Sequence, residues 1–124
     1  MPEGDARRIL IVEDEPAVRD LMRKVLEKRG LHVEMADDGE AGLEYFRRTG
    51  GADLVVSDII MPGISGAEMV RQMLRIRPGL KVLFVTAFTQ DIVAEQTRGL
   101  TFEVLRKPFG INEFAAKVRL LLGD

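Results

Sequence analysis

Five short apolar runs punctuate this chain, at residues 9–12, 31–35, 54–56, 82–85 and 104–105. The first, third and fourth are nearly unbroken in Ile, Leu, Val and Phe. A strand covered on one face alternates apolar and polar side chains. An unbroken run marks a strand covered on both faces, as in a parallel sheet. The second run does alternate, Leu31, Val33 and Met35 against His32 and Glu34, which suits a sheet edge. The fifth is too short to assign on its own.

Helical spacing fills the intervals. Val18, Leu21, Met22 and Val25 follow the i, i+3, i+4, i+7 rule with Arg and Lys opposite, and Gly30 supplies a stop. Asp38 can cap a second helix bearing Ala41, Leu43 and Phe46. Ser65 and Glu68 form a capping-box pattern for a third, with Met69, Val70, Met73 and Leu74 on its core face. Pro78-Gly79 ends it. A fourth, over about residues 90–98, has only Ile92 and Val93 as clear apolar residues. The last begins near Asn112 and carries Phe114, Ala115, Val118, Leu121 and Leu122.

Strand and helix thus alternate five times. Parallel neighbours need crossover connections, and right-handed crossovers cover a sheet on both faces. The pattern predicts a single doubly wound (βα)5 α/β domain over residues 1–124, its core at about 8–122, with no repeats or internal linkers. With 46% hydrophobic residues, 124 residues can bury such a core. Composition then removes whole classes of chemistry. There is no cysteine, so no disulfide or thiolate, and His32 is the single histidine, which excludes a multi-histidine zinc site and a catalytic triad. Charges of both signs sum to −2, which gives no electrostatic case for direct nucleic-acid or anionic-membrane binding. No apolar run nears the roughly 20 residues that span a bilayer. Residues 1–8 hold no apolar signal-peptide stretch, so the expected location is cytoplasmic.

In open parallel sheets, ligands bind outside the carboxyl ends of the strands. After the first predicted strand come Glu13, Asp14 and Glu15; after the third, Asp58; after the fourth, Thr86; after the fifth, Lys107 and Pro108. The fold would bring these groups together from four loops. Packed carboxylates repel unless a cation intervenes, and an all-oxygen set suits Mg²⁺. A carboxylate beside that ion can be a nucleophile, and a lysine and a hydroxyl can steady phosphoryl oxygens. Such a set suits phosphoryl transfer onto an aspartate.

Each residue taken alone also has an ordinary reading. Asp14 and Glu15 can simply open a helix, where acids suit the dipole. Asp58 can be a turn residue, Thr86 a strand-end hydroxyl, and Lys107 or Glu13 a solvated charge. His32 reads as an outward strand side chain, and the methionines at helical spacing as core. Joint placement at successive strand ends favours the site.

These residues resemble the response-regulator receiver family of two-component signalling. The matching segments are Ile-Leu-Ile-Val-Glu-Asp-Glu-Pro from Ile9, Asp-Leu-Val-Val-Ser-Asp-Ile-Ile-Met-Pro-Gly-Ile-Ser-Gly from Asp53, Val-Leu-Phe-Val-Thr-Ala from Val82, and Lys-Pro-Phe from Lys107. The resemblance implies strand order 2-1-3-4-5 and a cis Lys107-Pro108 bond. It implies that Asp58 accepts a phosphoryl group from a phosphohistidine on a histidine kinase or phosphotransfer protein. Asp14, Asp58 and the Ile60 carbonyl would hold Mg²⁺, with Glu13 acting through a metal-bound water. Thr86 and Lys107 would contact the phosphoryl oxygens. The face formed by the fourth helix, fifth strand and fifth helix would then change its affinity for an effector domain or downstream protein. Catalysis would be limited to the protein's own phosphorylation and dephosphorylation, in a monomer or weak dimer.

The sequence departs from the family pattern in places. Val104 stands where many receivers carry a switching Tyr or Phe, and Glu13 where aspartate is common. Ile60 and Phe88 offer no hydrogen bond to an attacking water, which implies slow intrinsic loss of phosphate. The chain reads either as a standalone receiver or as a domain of a longer regulator or hybrid kinase. Three rivals use the same fold or chemistry. A flavin module would need a phosphate loop where Glu13-Asp14-Glu15 stand. An aspartate-nucleophile phosphatase would need a cap domain and an acid at Ile60. An unphosphorylated receiver-like interaction domain would lack pocket residues that are present here.

Overall fold

The computed structural model describes residues 7–123. Ten elements alternate as predicted: β1 (Arg8–Val12), α1 (Pro16–Glu27), β2 (His32–Ala36), α2 (Gly39–Thr49), β3 (Leu54–Ser57), α3 (Gly66–Ile76), β4 (Lys81–Thr86), α4 (Gln90–Gln96), β5 (Glu103–Arg106) and α5 (Ile111–Leu122). All strand pairs are parallel, and the order is β2-β1-β3-β4-β5.

The period of two along each strand splits the apolar runs between two cores. Ile9, Ile11, Leu54, Val56, Leu83 and Val85 pack with Met22, Val25 and Leu26 of α1 and Phe114 and Val118 of α5. Leu10, Val12, Val55, Val82 and Phe84 face the other way, onto Leu43 and Phe46 of α2, Met69 and Met73 of α3, and Val93 of α4. The unbroken runs are therefore strands buried on both faces, as their composition requires.

The helix signals act where expected. Pro16 opens α1. Asp38 accepts the Ala41 amide at 2.8 Å, and Gly50 closes α2 at φ 90°. Ser65 accepts the Glu68 amide at 3.0 Å, but the Glu68 carboxylate takes Gln72 Nε2 at 3.1 Å, so only half of the predicted box forms. The helix over about 90–98 ends at Gln96, and the last begins at Ile111.

Three apolar assignments differ from the pattern, the first being Ala41 on α2, which is exposed. Leu21 is 41% exposed, and Leu26, five residues further on, is buried instead. Met35 is 44% exposed beside Pro16 and Ala17, because β2 is the edge strand and only its last residue, Ala36, is buried. His32 does point outward and pairs with Glu34 at 2.9 Å.

Candidate functional site

β1 and β3 are neighbours in register, Val12 beside Ser57. Their carboxyl ends therefore deliver Glu13 and Asp58 side by side. Glu13 is fully buried, so the reading of it as an ordinary surface acid fails. Its amide donates to the Ala36 carbonyl at 3.1 Å, and its carbonyl accepts Arg19 at 2.7 Å. Its carboxylate folds back to accept the Glu15 amide at 3.2 Å. Asp14 follows on the exposed part of the turn.

Asp58 is 9% exposed. Its Oδ1 accepts the amide of Ile59 at 2.7 Å, and its backbone carbonyl accepts the Ser57 hydroxyl at 2.7 Å. Gly66, the first residue of α3, donates to the Ile59 carbonyl at 2.5 Å. A Cβ at Gly66 would lie 1.9 Å from the Asp58 carbonyl oxygen. This close approach fixes the loop and needs glycine. The Ile60 side chain is 40% exposed.

Lys107 closes the site from β5. Its ammonium lies 3.0 Å from Asp58 Oδ2, 3.1 Å from Glu13 Oε1 and 3.7 Å from Glu15 Oε1. The peptide bond to Pro108 is cis. Thr86, fully buried, accepts the Lys107 amide on its carbonyl at 2.9 Å and the Phe88 amide on its hydroxyl at 3.1 Å. The hydroxyl hydrogen of Thr86 remains to be donated.

Burial pushes the Glu13 carboxyl above its ordinary 4.5, and the hydrogen bonds from Glu15 and Lys107 do not cancel it. Burial also works against the Lys107 ammonium, but the hydrogen bonds and charges of Asp58 and Glu13 outweigh it, so Lys107 titrates above 10.5. The pocket thus holds acids that repel one another around a single firmly charged lysine. Among the described residues no three His, Asp or Glu side chains converge as a ready-made metal cluster. The ammonium bridges Glu13 and Asp58 and offsets part of the repulsion between their carboxylates.

Of the residues singled out from sequence, Glu13, Asp58 and Lys107 touch directly, and Thr86 joins them through the Lys107 main chain. Asp14 and Ile60 sit one and two residues along from Glu13 and Asp58. Sequence reasoning missed Arg19, Ser57 and Gly66. Only Gly66 left a signal, as a glycine directly after the cap residue Ser65.

Comparison with known proteins gives the chain a family. The model for the response regulator receiver domain matches residues 9–119. The chain is 38% identical to the alkaline phosphatase synthesis transcriptional regulatory protein SphR of Synechococcus elongatus, over 94% of this chain and 49% of that protein. It is 35% identical to the sensor kinase CckA of Brucella abortus, over 92% of this chain and 12% of that protein. Among solved structures, the receiver domain of the hybrid histidine kinase CckA superposes with a TM-score of 0.78 at 34% identity, covering 93% of this chain and 98% of that one. TrrA of Thermotoga maritima, in complex with Mg²⁺-BeF, superposes with a TM-score of 0.77 at 34% identity and the same coverage. The chain belongs to the response regulator receiver domain family of two-component signal transduction. It spans about half the length of curated relatives such as SphR and the TrcR regulator of Mycobacterium tuberculosis. Among the described residues no helix is long and apolar enough to cross a membrane.

Proposed function

We propose that this domain is a phosphoacceptor. Asp58 takes a phosphoryl group from a phosphohistidine on a histidine kinase or histidine phosphotransfer protein, with Mg²⁺ as cofactor. The observation that carries this reading is the clamp of Lys107 on Asp58 and Glu13 at 3.0 and 3.1 Å, at the ends of β3 and β1. A structural ion pair needs one acid. Here one ammonium faces three, Glu15 included, and the surplus negative charge suits a divalent cation.

Glu13, Asp14, Asp58 and the Ile60 carbonyl would hold the ion, since carboxylate and carbonyl oxygens are the donor type that Mg²⁺ takes. When bound, the ion would supply charge neutralisation for the phosphoryl oxygens. An Asp58 carboxylate oxygen attacks phosphorus. A P–O bond forms as the P–N bond of the donor breaks, and the imidazole leaves with the electron pair. Lys107 follows the charge from the carboxylate onto a phosphoryl oxygen. Thr86, whose hydroxyl already accepts from Phe88, donates its hydrogen to another.

The modification adds roughly −1.5 to −2 charges at Asp58. Movement of Thr86 and Lys107 shifts the population of the α4–β5–α5 surface, which an effector domain or downstream protein reads. The domain acts only on its own Asp58. Ile60 and Phe88 present no hydrogen bond to water, so loss of the group is slow.

Incubation with Mg²⁺ and acetyl phosphate followed by intact-mass measurement tests this. One added phosphoryl group is expected, absent in Asp58→Asn and in chelator-treated protein. No addition to the parent, under conditions that modify another receiver, overturns the reading.

A further inference from the structure

On β5 and just before it, Phe102, Val104 and Arg106 alternate onto one face of the sheet. Phe102 and Val104 pack against the core beneath α2, α3 and α4. Phe102 meets Phe84 edge-on at 5.3 Å, so the aromatic of this row sits low, half-buried against the core. Val104, in the middle, is a small filler. Arg106 is at the top, in register with Thr86. Its guanidinium crosses to the loop after β4 and donates to the Phe88 carbonyl. The Phe88 amide in turn donates to the Thr86 hydroxyl at 3.1 Å. Thr86 is therefore tied to the end of β5 and the residue after it twice, by main chain through the Lys107 amide and by side chain through Arg106 and Phe88.

We propose that Arg106 is a positioning residue of the phosphorylation site. It holds the loop between β4 and α4 by the Phe88 carbonyl, and so sets where the Thr86 hydroxyl and the Phe88 side chain stand when Asp58 is modified. This rests on the reading of Asp58 as phosphoacceptor. An exposed arginine is commonly just solvated. This one bonds a carbonyl whose own residue holds a site hydroxyl, on the strand where Val104 supplies no aromatic contact. The long stem reaches past the strand end, and the guanidinium offers five donors in a fixed fork. Lysine keeps the charge and three rotatable donors on a flexible stem, without the fixed fork.

Parent, Arg106→Met and Arg106→Lys are loaded with acetyl phosphate and Mg²⁺, the donor is removed, and the phosphorylated fraction is followed by intact mass. Arg106→Met is expected to lose the phosphoryl group about threefold to tenfold faster, the kinetic weight of one hydrogen bond. Half-saturating Mg²⁺ and the thermal midpoint stay at parent values, and Arg106→Lys recovers most of the lifetime. Equal lifetimes in parent and Arg106→Met overturn the proposal. So does a shortened lifetime accompanied by an equal shift in half-saturating Mg²⁺, which would mean general disruption of the pocket. A parent that accepts no phosphoryl group removes the phosphoacceptor reading itself, and this proposal with it.

Discussion

α3 and α4 lie on the same face of the sheet, and each follows a strand that delivers a site residue. They are held in opposite ways. α3 buries Gly66, Ala67, Met69, Val70 and Met73, an apolar stripe along its length. α4 has seven residues and buries only Val93. What fixes α4 is polar and lies at its ends. Arg71, from the middle of α3, donates to the carbonyls of Gln96 at 2.9 Å and Arg98 at 3.0 Å, and Arg106 holds the Phe88 carbonyl before its first turn. Apolar burial is shared across the whole core and is lost only when the core opens, whereas terminal hydrogen bonds exchange one at a time. The helix that frames Asp58 should therefore open only with the core, and the helix beside Thr86 should open more easily.

The largest test of that contrast is in α3. Met73 is fully buried between α2 and the sheet. Met73→Ala is expected to cost about 2–5 kcal/mol in urea unfolding, through lost transfer energy and the cavity left behind. Gly66→Ala comes next. Its added methyl would meet the Asp58 carbonyl at 1.9 Å, so backbone has to shift, at about 1–3 kcal/mol. Because the shift falls on the loop of Asp58, slower labelling by acetyl phosphate should accompany it. Parent-like stability and labelling in Gly66→Ala would show that α3 does not frame the site.

The sequence carried the rigid half of this contrast better than the mobile half. Unbroken runs at 9–12 and 54–56 announce strands buried on both sides, and strand ends then locate Glu13, Asp58, Thr86 and Lys107. Caps at Asp38 and Ser65 are local chemistry and are legible as such. The exposure of Leu21 and Met35 depends on what neighbouring elements leave uncovered, which periodicity along one element does not encode. Arg19, Arg71 and Arg106 are invisible for another reason. A long side chain reaching a carbonyl on a different element leaves no period in the sequence. The clearance at Gly66 likewise arises only when Asp58 arrives from another loop.

Arg71→Met probes the mobile half. It removes two charge-assisted bonds to carbonyls at the end of α4 while keeping the apolar stem. The expected result is faster amide exchange in α4 and a global loss of about 1–2 kcal/mol or less. A loss as large as that of Met73→Ala would mean α4 belongs to the rigid core.

The smallest effect makes the sharpest comparison, because the same chemistry is removed from both helices. Ser65 caps α3 through the Glu68 amide at 3.0 Å, and Thr89 caps α4 through the Ile92 amide at 3.4 Å. Loss of such a cap typically costs about 1 kcal/mol. A helix that unfolds with the core passes that cost to global stability, so Ser65→Ala should lower it by about 1 kcal/mol. A helix that opens by itself does not, because its local opening already lies below the global transition. Thr89→Ala should therefore change global stability by less than about 0.5 kcal/mol while speeding exchange of α4 amides alone. Equal global losses in the two variants would place α4 in the same cooperative unit as α3. Phosphorylation at Asp58 would then need to reach its partner surface by displacing the loop after Thr86 without the helix.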